Sequence, residues 1–276
     1  WGLVLGEWGL PRMGIAGAAL ATVSAQLVAA LLYAFLFARS GGFRNQPARR
    51  LNRVEFRRFL SLAAPMGLRI SGELAAWTLF LVVVGRLGTV ELAASSIAFR
   101  INGIAFFPAL GLGQAAGVLV GHARGAGKDD QVPAIAWQSL AVCEVWMLLM
   151  ATLFATAAGP LFSIFAGNNA ESAGIIATGT LLMKFVAVYC VFDAANVMIG
   201  CVLASAGETQ WIARTFALAS AIFMVLLWLL DRTMPGLVAE WALATCFVFC
   251  TAVVWLLRFR TGHWRRIQIV RNPVVS

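Results

Sequence analysis

The stretch 181–200 is apolar and long enough to cross a bilayer, and Asp193 lies inside it. A carboxylate at that depth costs about 2.5 to 3.5 kcal/mol on insertion scales, so it reads by default as an ion or substrate site. Tyr189 precedes Asp193 by four residues and Asn196 follows it by three, which puts a phenol, a carboxylate and an amide on one helix face. Such an oxygen-rich cluster suits a hard cation such as Na⁺, or a carboxylate that exchanges protons. Glu73 poses the same question in an earlier apolar segment. Arg69, four residues before it, shares its face, so a local ion pair is the plain structural alternative for Glu73.

These groups need elements that hold them in lipid. The chain of 276 residues is 61% hydrophobic and 12% charged, with a mean hydropathy of +0.85. No soluble core could hide that much apolar surface, so the chain reads as an integral membrane protein. The apolar segments are continuous rather than short and alternating, which argues for helices over a barrel. Spans are expected at 14–37, 62–85, 95–120, 134–157, 179–203, 212–230 and 237–257, each near the roughly 20 residues a crossing takes. The fold class is therefore an all-α polytopic bundle of about seven transmembrane helices, preceded by the end of another at 1–10. The chain opens at Trp1 rather than Met and reads as a fragment.

Direction follows from the basic residues. Arg39, Arg44, Arg49, Arg50, Arg53, Arg57 and Arg58 fill the first connection. Arg124 and Lys128 follow the third span, Arg214 the fifth, and Arg258, Arg260, Arg265, Arg266 and Arg271 the seventh. The alternate connections hold only Arg12, Arg86 and Arg232. By the positive-inside rule the C-terminus is cytoplasmic, and a plasma membrane, the bacterial inner membrane, is the expected location. The net charge of +9 then follows from topology, and no nucleic-acid partner is called for. The segment 51–59 alternates apolar and basic residues and suits the inner headgroup layer. The lipid bilayer is the first partner.

Pro65 and Pro108 each remove a helical hydrogen bond and favour a kink, and discontinuous helices mark binding regions in transporters. Gly103, Gly111, Gly113, Gly117 and Gly121 fall on or near one face of the third span, where they allow close backbone approach. Arg100 and Lys184 lie near enough to span ends to snorkel. Glu144 is deep and has no assigned role. The cysteines Cys143, Cys190, Cys201, Cys246 and Cys250 read as buried thiols. His122 and His263 lie at or beyond span ends, so a His-based metal or nucleophile site has little material and an enzyme is not expected.

Several segments resemble the MATE (multidrug and toxic compound extrusion) transporters. The run from Pro11 through Gly14, Gly17, Ala18, Ala19 and Ala21 to Thr22 is similar to the opening of that family's sixth helix. Pro65 with Glu73 resembles the seventh, and Phe107-Pro108-Ala109-Leu110-Gly111-Leu112-Gly113-Gln114-Ala115 through Gly121 and Gly127 resembles the eighth. Gly207-Glu208-Thr209 is similar to the end of the tenth. The resemblance implies a twelve-helix antiporter of two six-helix lobes that exports organic cations in exchange for Na⁺ or H⁺, with no cofactor beyond that coupling ion. It implies that 1–37 holds the end of one helix and the last helix of the N-terminal lobe, 38–60 a cytoplasmic Arg-rich linker with an interfacial helix, 61–258 the C-terminal six-helix lobe, and 259–276 a basic cytoplasmic tail. The missing N-terminal lobe and a small organic cation would be its partners.

By the same resemblance Glu73, Tyr189 and Asp193 form the cation site of the NorM-like branch, with Glu73 and Asp193 as Na⁺ ligands if coupling is to sodium. Asn196 and Arg69 would support them, and Pro65 and Pro108 would mark helix kinks. Ser96 stands where a Gln is common. Four rivals remain: a lipid-linked oligosaccharide flippase of the same superfamily, which Arg69 keeps open, a structural membrane subunit without transport, a seven-helix retinal receptor, which would need a Lys in its last span where Lys184 lies in the fifth, and an intramembrane protease. The last would need an Asp pair or a Ser–His pair within spans, and Asp193 is the one mid-span Asp.

Overall fold

A computed structural model describes residues 2–6, 9, 11–39, 53–166 and 171–267. The expected linker therefore lies largely outside the described residues, at 40–52, as does the tail from 268 onward. The chain forms two compact units, Trp1–Arg58 and Phe59–Ser276. In the first, the short α1 (Gly2–Leu5) packs against α2 (Gly14–Arg39), and the Met13 amide donates to the Leu3 carbonyl.

Long helices follow: α3 (Arg53–Val84), α4 (Thr89–Gly125), α5 (Val132–Thr156), a short α6 (Ala158–Ala166), α7 (Ser172–Ser205), α8 (Thr209–Thr233) and α9 (Leu237–Arg260). Seven helices of the described residues are long and apolar enough to cross a membrane. Their number and order match the spans read from the sequence. Several are longer than the apolar runs alone suggest. At 1.5 Å per residue α4 and α7 reach roughly 50 Å or more, well beyond a hydrocarbon layer of about 30 Å. The nine-residue α6 is too short to cross, so span length does not mark it in the sequence.

In the second unit α7 is the hub, packed against α4, α5, α6, α8 and α9. The α4–α7 contact explains two of the five glycines. A Cβ on Gly113 would press on Val197 and Cys201, and one on Gly117 on Ser205. The other three do not serve that contact: Gly111 and Gly121 face open space, and Gly103 meets only Phe107 of its own helix. Neither proline interrupts its helix, since α3 runs through Pro65 and α4 through Pro108.

The ends of α4 and α7 share a stop signal. The Lys128 amide reaches back to the Ala123 carbonyl and the Gly127 amide to Arg124, while Glu208 and Gly207 do the same to Leu203 and Ala204. This paired bonding needs a left-handed residue, and Gly127 and Gly207 supply it with φ of 72° and 93°. The turn at Gly207 sets Glu208 at the head of α8.

Connections from distant parts of the chain meet at common ends. Arg86, after α3, bonds Asp231 near the end of α8 at 3.0 Å. Arg124, near the end of α4, donates to the carbonyls of Ala206, after α7, and Ile267, after α9. The ends of α3 and α8 thus meet at one end of the bundle, and those of α4, α7 and α9 at the other.

Candidate functional site

Asp193 stands twelve residues before the end of α7 at Ser205, and Glu73 eleven before the end of α3 at Val84. These are opposite ends of the bundle, so each carboxylate lies roughly 17 Å in along its helix. Glu73 and Asp193 lie close enough for their charges to act on one another. Both are half-buried. Asp193 makes no hydrogen bond or ion pair with any described residue. Tyr189, buried one turn earlier on α7, lies within the same field, as do Cys190 and Cys143.

Glu73 is not free. Its Oε2 takes the Nη1 of Arg69 at 3.2 Å, and the Arg69 guanidinium lies over the Phe216 ring of α8, 5.6 Å from its centroid. The local ion pair foreseen as the plain alternative is therefore present. Two carboxylates and one paired guanidinium thus share this region. The Arg69 Nε is buried without a partner.

Asn196 turns partly away from this role. Its Nδ2 donates to the Val248 carbonyl of α9 at 2.9 Å, tying α7 to α9, while its Oδ1 is buried without a partner. Arg100 and Lys184 are exposed, consistent with snorkelling, and Glu144 is half-buried. Among the described residues no group of three or more His, Cys, Asp or Glu is placed to hold a metal ion. A cation between Glu73 and Asp193 would need further oxygens from Tyr189, the backbone or water.

Two further acids are buried where a helix begins, and depth along a span marks neither of them in the sequence. Glu208, at the head of α8, has a fully buried side chain that takes the Arg258 Nε at 2.6 Å, with His263 Nδ1 3.8 Å from its other oxygen. Arg258 also lies over Trp211, 4.5 Å from its centroid. Glu240, in the first turn of α9, is fully buried with neither oxygen partnered. A glutamate next to a loop reads as interfacial in a sequence, and only the packing of remote segments buries it.

Comparison with known proteins agrees with this architecture. The MatE family model matches residues 65–230. A probable multidrug resistance protein NorM of Mesorhizobium japonicum is 33% identical over 76% of this chain and 46% of its own length. The multidrug resistance protein NorM of Burkholderia vietnamiensis is 27% identical over 99% of this chain and 59% of its own. The chain spans about half the length of the curated relatives it matches. Among solved structures, an outward-facing multidrug resistance MATE family transporter of the MOP superfamily superposes with a TM-score of 0.84 at 18% identity, covering 96% of this chain and 60% of that one. A MOP superfamily transporter from Pyrococcus furiosus, described as having a binding pocket of reverse polarity, gives the same TM-score and coverage. These two establish likeness of fold, and the matched family model, spanning more than half of the sequence, establishes that the chain belongs to the MatE family and, with its seven apolar helices, is a multi-pass membrane protein.

Proposed function

We propose that the transporter containing this chain exports small organic cations, drugs among them, in exchange for Na⁺ or H⁺ by alternating access. The observation that carries this reading is Asp193, a carboxylate far from either end of the hub helix, half-buried and without a partner among the described residues, within reach of the charge of a second carboxylate at Glu73. Two like charges at that depth repel, so occupancy by a cation or proton favours one packing of the helices over another. Tyr189 and the Oδ1 of Asn196 offer further oxygens. Na⁺ or H⁺ enters as cargo, bound between Glu73 and Asp193, while α3 and α4 repack around Pro65 and Pro108.

In this reading 61–258 is the C-terminal lobe and 38–60 the cytoplasmic linker to the N-terminal one. The basic connections face the cytoplasm, and the membrane is the bacterial inner membrane.

The test is export by the complete transporter in proteoliposomes under imposed Na⁺ or H⁺ gradients. Asp193→Asn and Glu73→Gln each reduce gradient-driven export to background while the protein remains folded. Full coupled export in both variants overturns the reading, and the gradient that drives wild-type export identifies the ion.

A further inference from the structure

Glu240 is an acid for which the Asp193 site has no use. It lies in the first turn of α9, at the opposite end of the bundle from the Gly207 turn, fully buried and with both carboxylate oxygens unpartnered among the described residues. An ionised carboxylate there loses its hydration and gains no hydrogen bond in exchange. The N-terminal end of α9 favours negative charge, but by less than such desolvation costs.

The turn that carries Glu240 also keys α9 into its neighbours. The adjacent Trp241, likewise fully buried, donates from Nε1 to Ser95 of α4 at 3.2 Å. Its ring stacks on Phe99 of α4 at 5.4 Å and meets Phe80 of α3 edge-on at 5.6 Å. Loosening this contact would lift the first turn of α9 and wet Glu240.

Among the described residues, the charged groups at this end offer Glu240 no counter-ion. On α8, Asp231 is a like charge whose field reaches Glu240, and Arg232 is turned onto Trp228. Arg86, at the turn between α3 and α4, is occupied by Asp231 at 3.0 Å. Glu91, in the first turn of α4, lies against Gly88. Arg100 of α4, Glu171 just before α7 and Lys184 of α7 are exposed.

We propose that Glu240 is a second proton-binding site, separate from Glu73 and Asp193, which takes one proton from the water at this end when the first turn of α9 closes onto α3 and α4. The proton returns to water when that contact opens. The carboxylate becomes a carboxylic acid and no other bond changes. The inference rests on the proposed function only in supposing that this end opens and closes.

The experiment is infrared difference spectroscopy, acid minus alkaline, on the complete transporter in liposomes, paired with hydrogen exchange over the first turns of α9. The wild type shows a protonated-carboxyl band that Glu240→Gln removes and Glu240→Asp retains at a shifted position. Exchange in those turns, corrected for intrinsic chemistry, speeds up by about tenfold on going alkaline in the wild type. That response is lost in Glu240→Gln. A band unchanged by Glu240→Gln, or an intact exchange response in that variant, overturns the proposal. Neither readout requires export, and both persist in Asp193→Asn, so failure of the coupled-export reading stays distinguishable from failure here.

Discussion

Arg69 and Glu73 hold one another across a single helical turn, with Nη1 3.2 Å from Oε2 and both side chains partly open to their surroundings. A cation that binds Glu73 must therefore compete with a guanidinium already in place. Partly exposed ion pairs are worth about 0.2 to 1 kcal/mol, which bounds the competition. Arg69→Gln is expected to tighten binding of the coupling cation by up to about fivefold. Isothermal titration of the complete transporter with Na⁺, or the ion concentration for half-maximal export, measures it. Weaker binding in Arg69→Gln would mean that Arg69 supports the site rather than occupying it.

Glu208 is the more stringent electrostatic case, because its side chain is fully buried against Arg258 at 2.6 Å. Removing one member of a buried pair strands the other and costs about 3 to 5 kcal/mol. Arg258→Ala should therefore lower the melting temperature of the purified protein sharply. Pairing it with Glu208→Gln should recover much of the loss, since no uncompensated charge remains. His263, exposed and 3.8 Å away, should matter by well under about 1 kcal/mol. Equal destabilisation by His263→Ala and Arg258→Ala would refute this ranking.

Among the glycines, Gly179 of α7 and Gly121 of α4 make opposite predictions. A Cβ at Gly179 would run into the fully buried Phe162 ring of α6, and one at Gly121 meets nothing. Gly179→Ala is expected to cost about 1 to 3 kcal/mol by overpacking. Gly121→Ala is expected to be neutral, or stabilising by up to about 1 kcal/mol through helix propensity. Thermal unfolding of the two purified variants decides it, and similar melting temperatures would contradict the packing described for α6 and α7.

How far this could be read beforehand depended on the kind of constraint. A bilayer demands length and apolarity, and both are printed in the chain, so the seven spans were legible with shifts only at their ends. Depth is legible in the same way, which made Glu73 and Asp193 visible as anomalies. The partner of Glu73 was visible too, since Arg69 lies on the same helix. Contacts between segments left no such mark. Arg258 is 50 residues from Glu208, and nothing along the chain ties them. The stripe of five glycines predicted a close approach but not its extent, because only the lie of α7 across α4 selects Gly113 and Gly117. Glu240 was hidden for the same reason, as it is buried only by the packing of α9 among its neighbours.

Arg124 draws three connections together at the Gly207 end of the bundle. Its Nη1 donates to the Ala206 carbonyl, its Nη2 to the Ile267 carbonyl at 2.7 Å, and its Nε pairs with Asp129 at 3.2 Å. The guanidinium also lies over Trp264, 5.7 Å from its centroid. Only a planar fork can serve these partners at once, so Arg124→Lys should keep the charge and lose most of the geometry. The segment 261–267 would then be held mainly by Trp264, whose Nε1 donates to the Phe259 carbonyl at 3.2 Å. Limited proteolysis should therefore cut beyond Arg260 faster in Arg124→Lys, and faster still in Arg124→Ala. Asp129→Asn, which removes only the half-exposed partner, should change little. Equal cleavage in wild type and Arg124→Ala would show that the tail is held by other contacts.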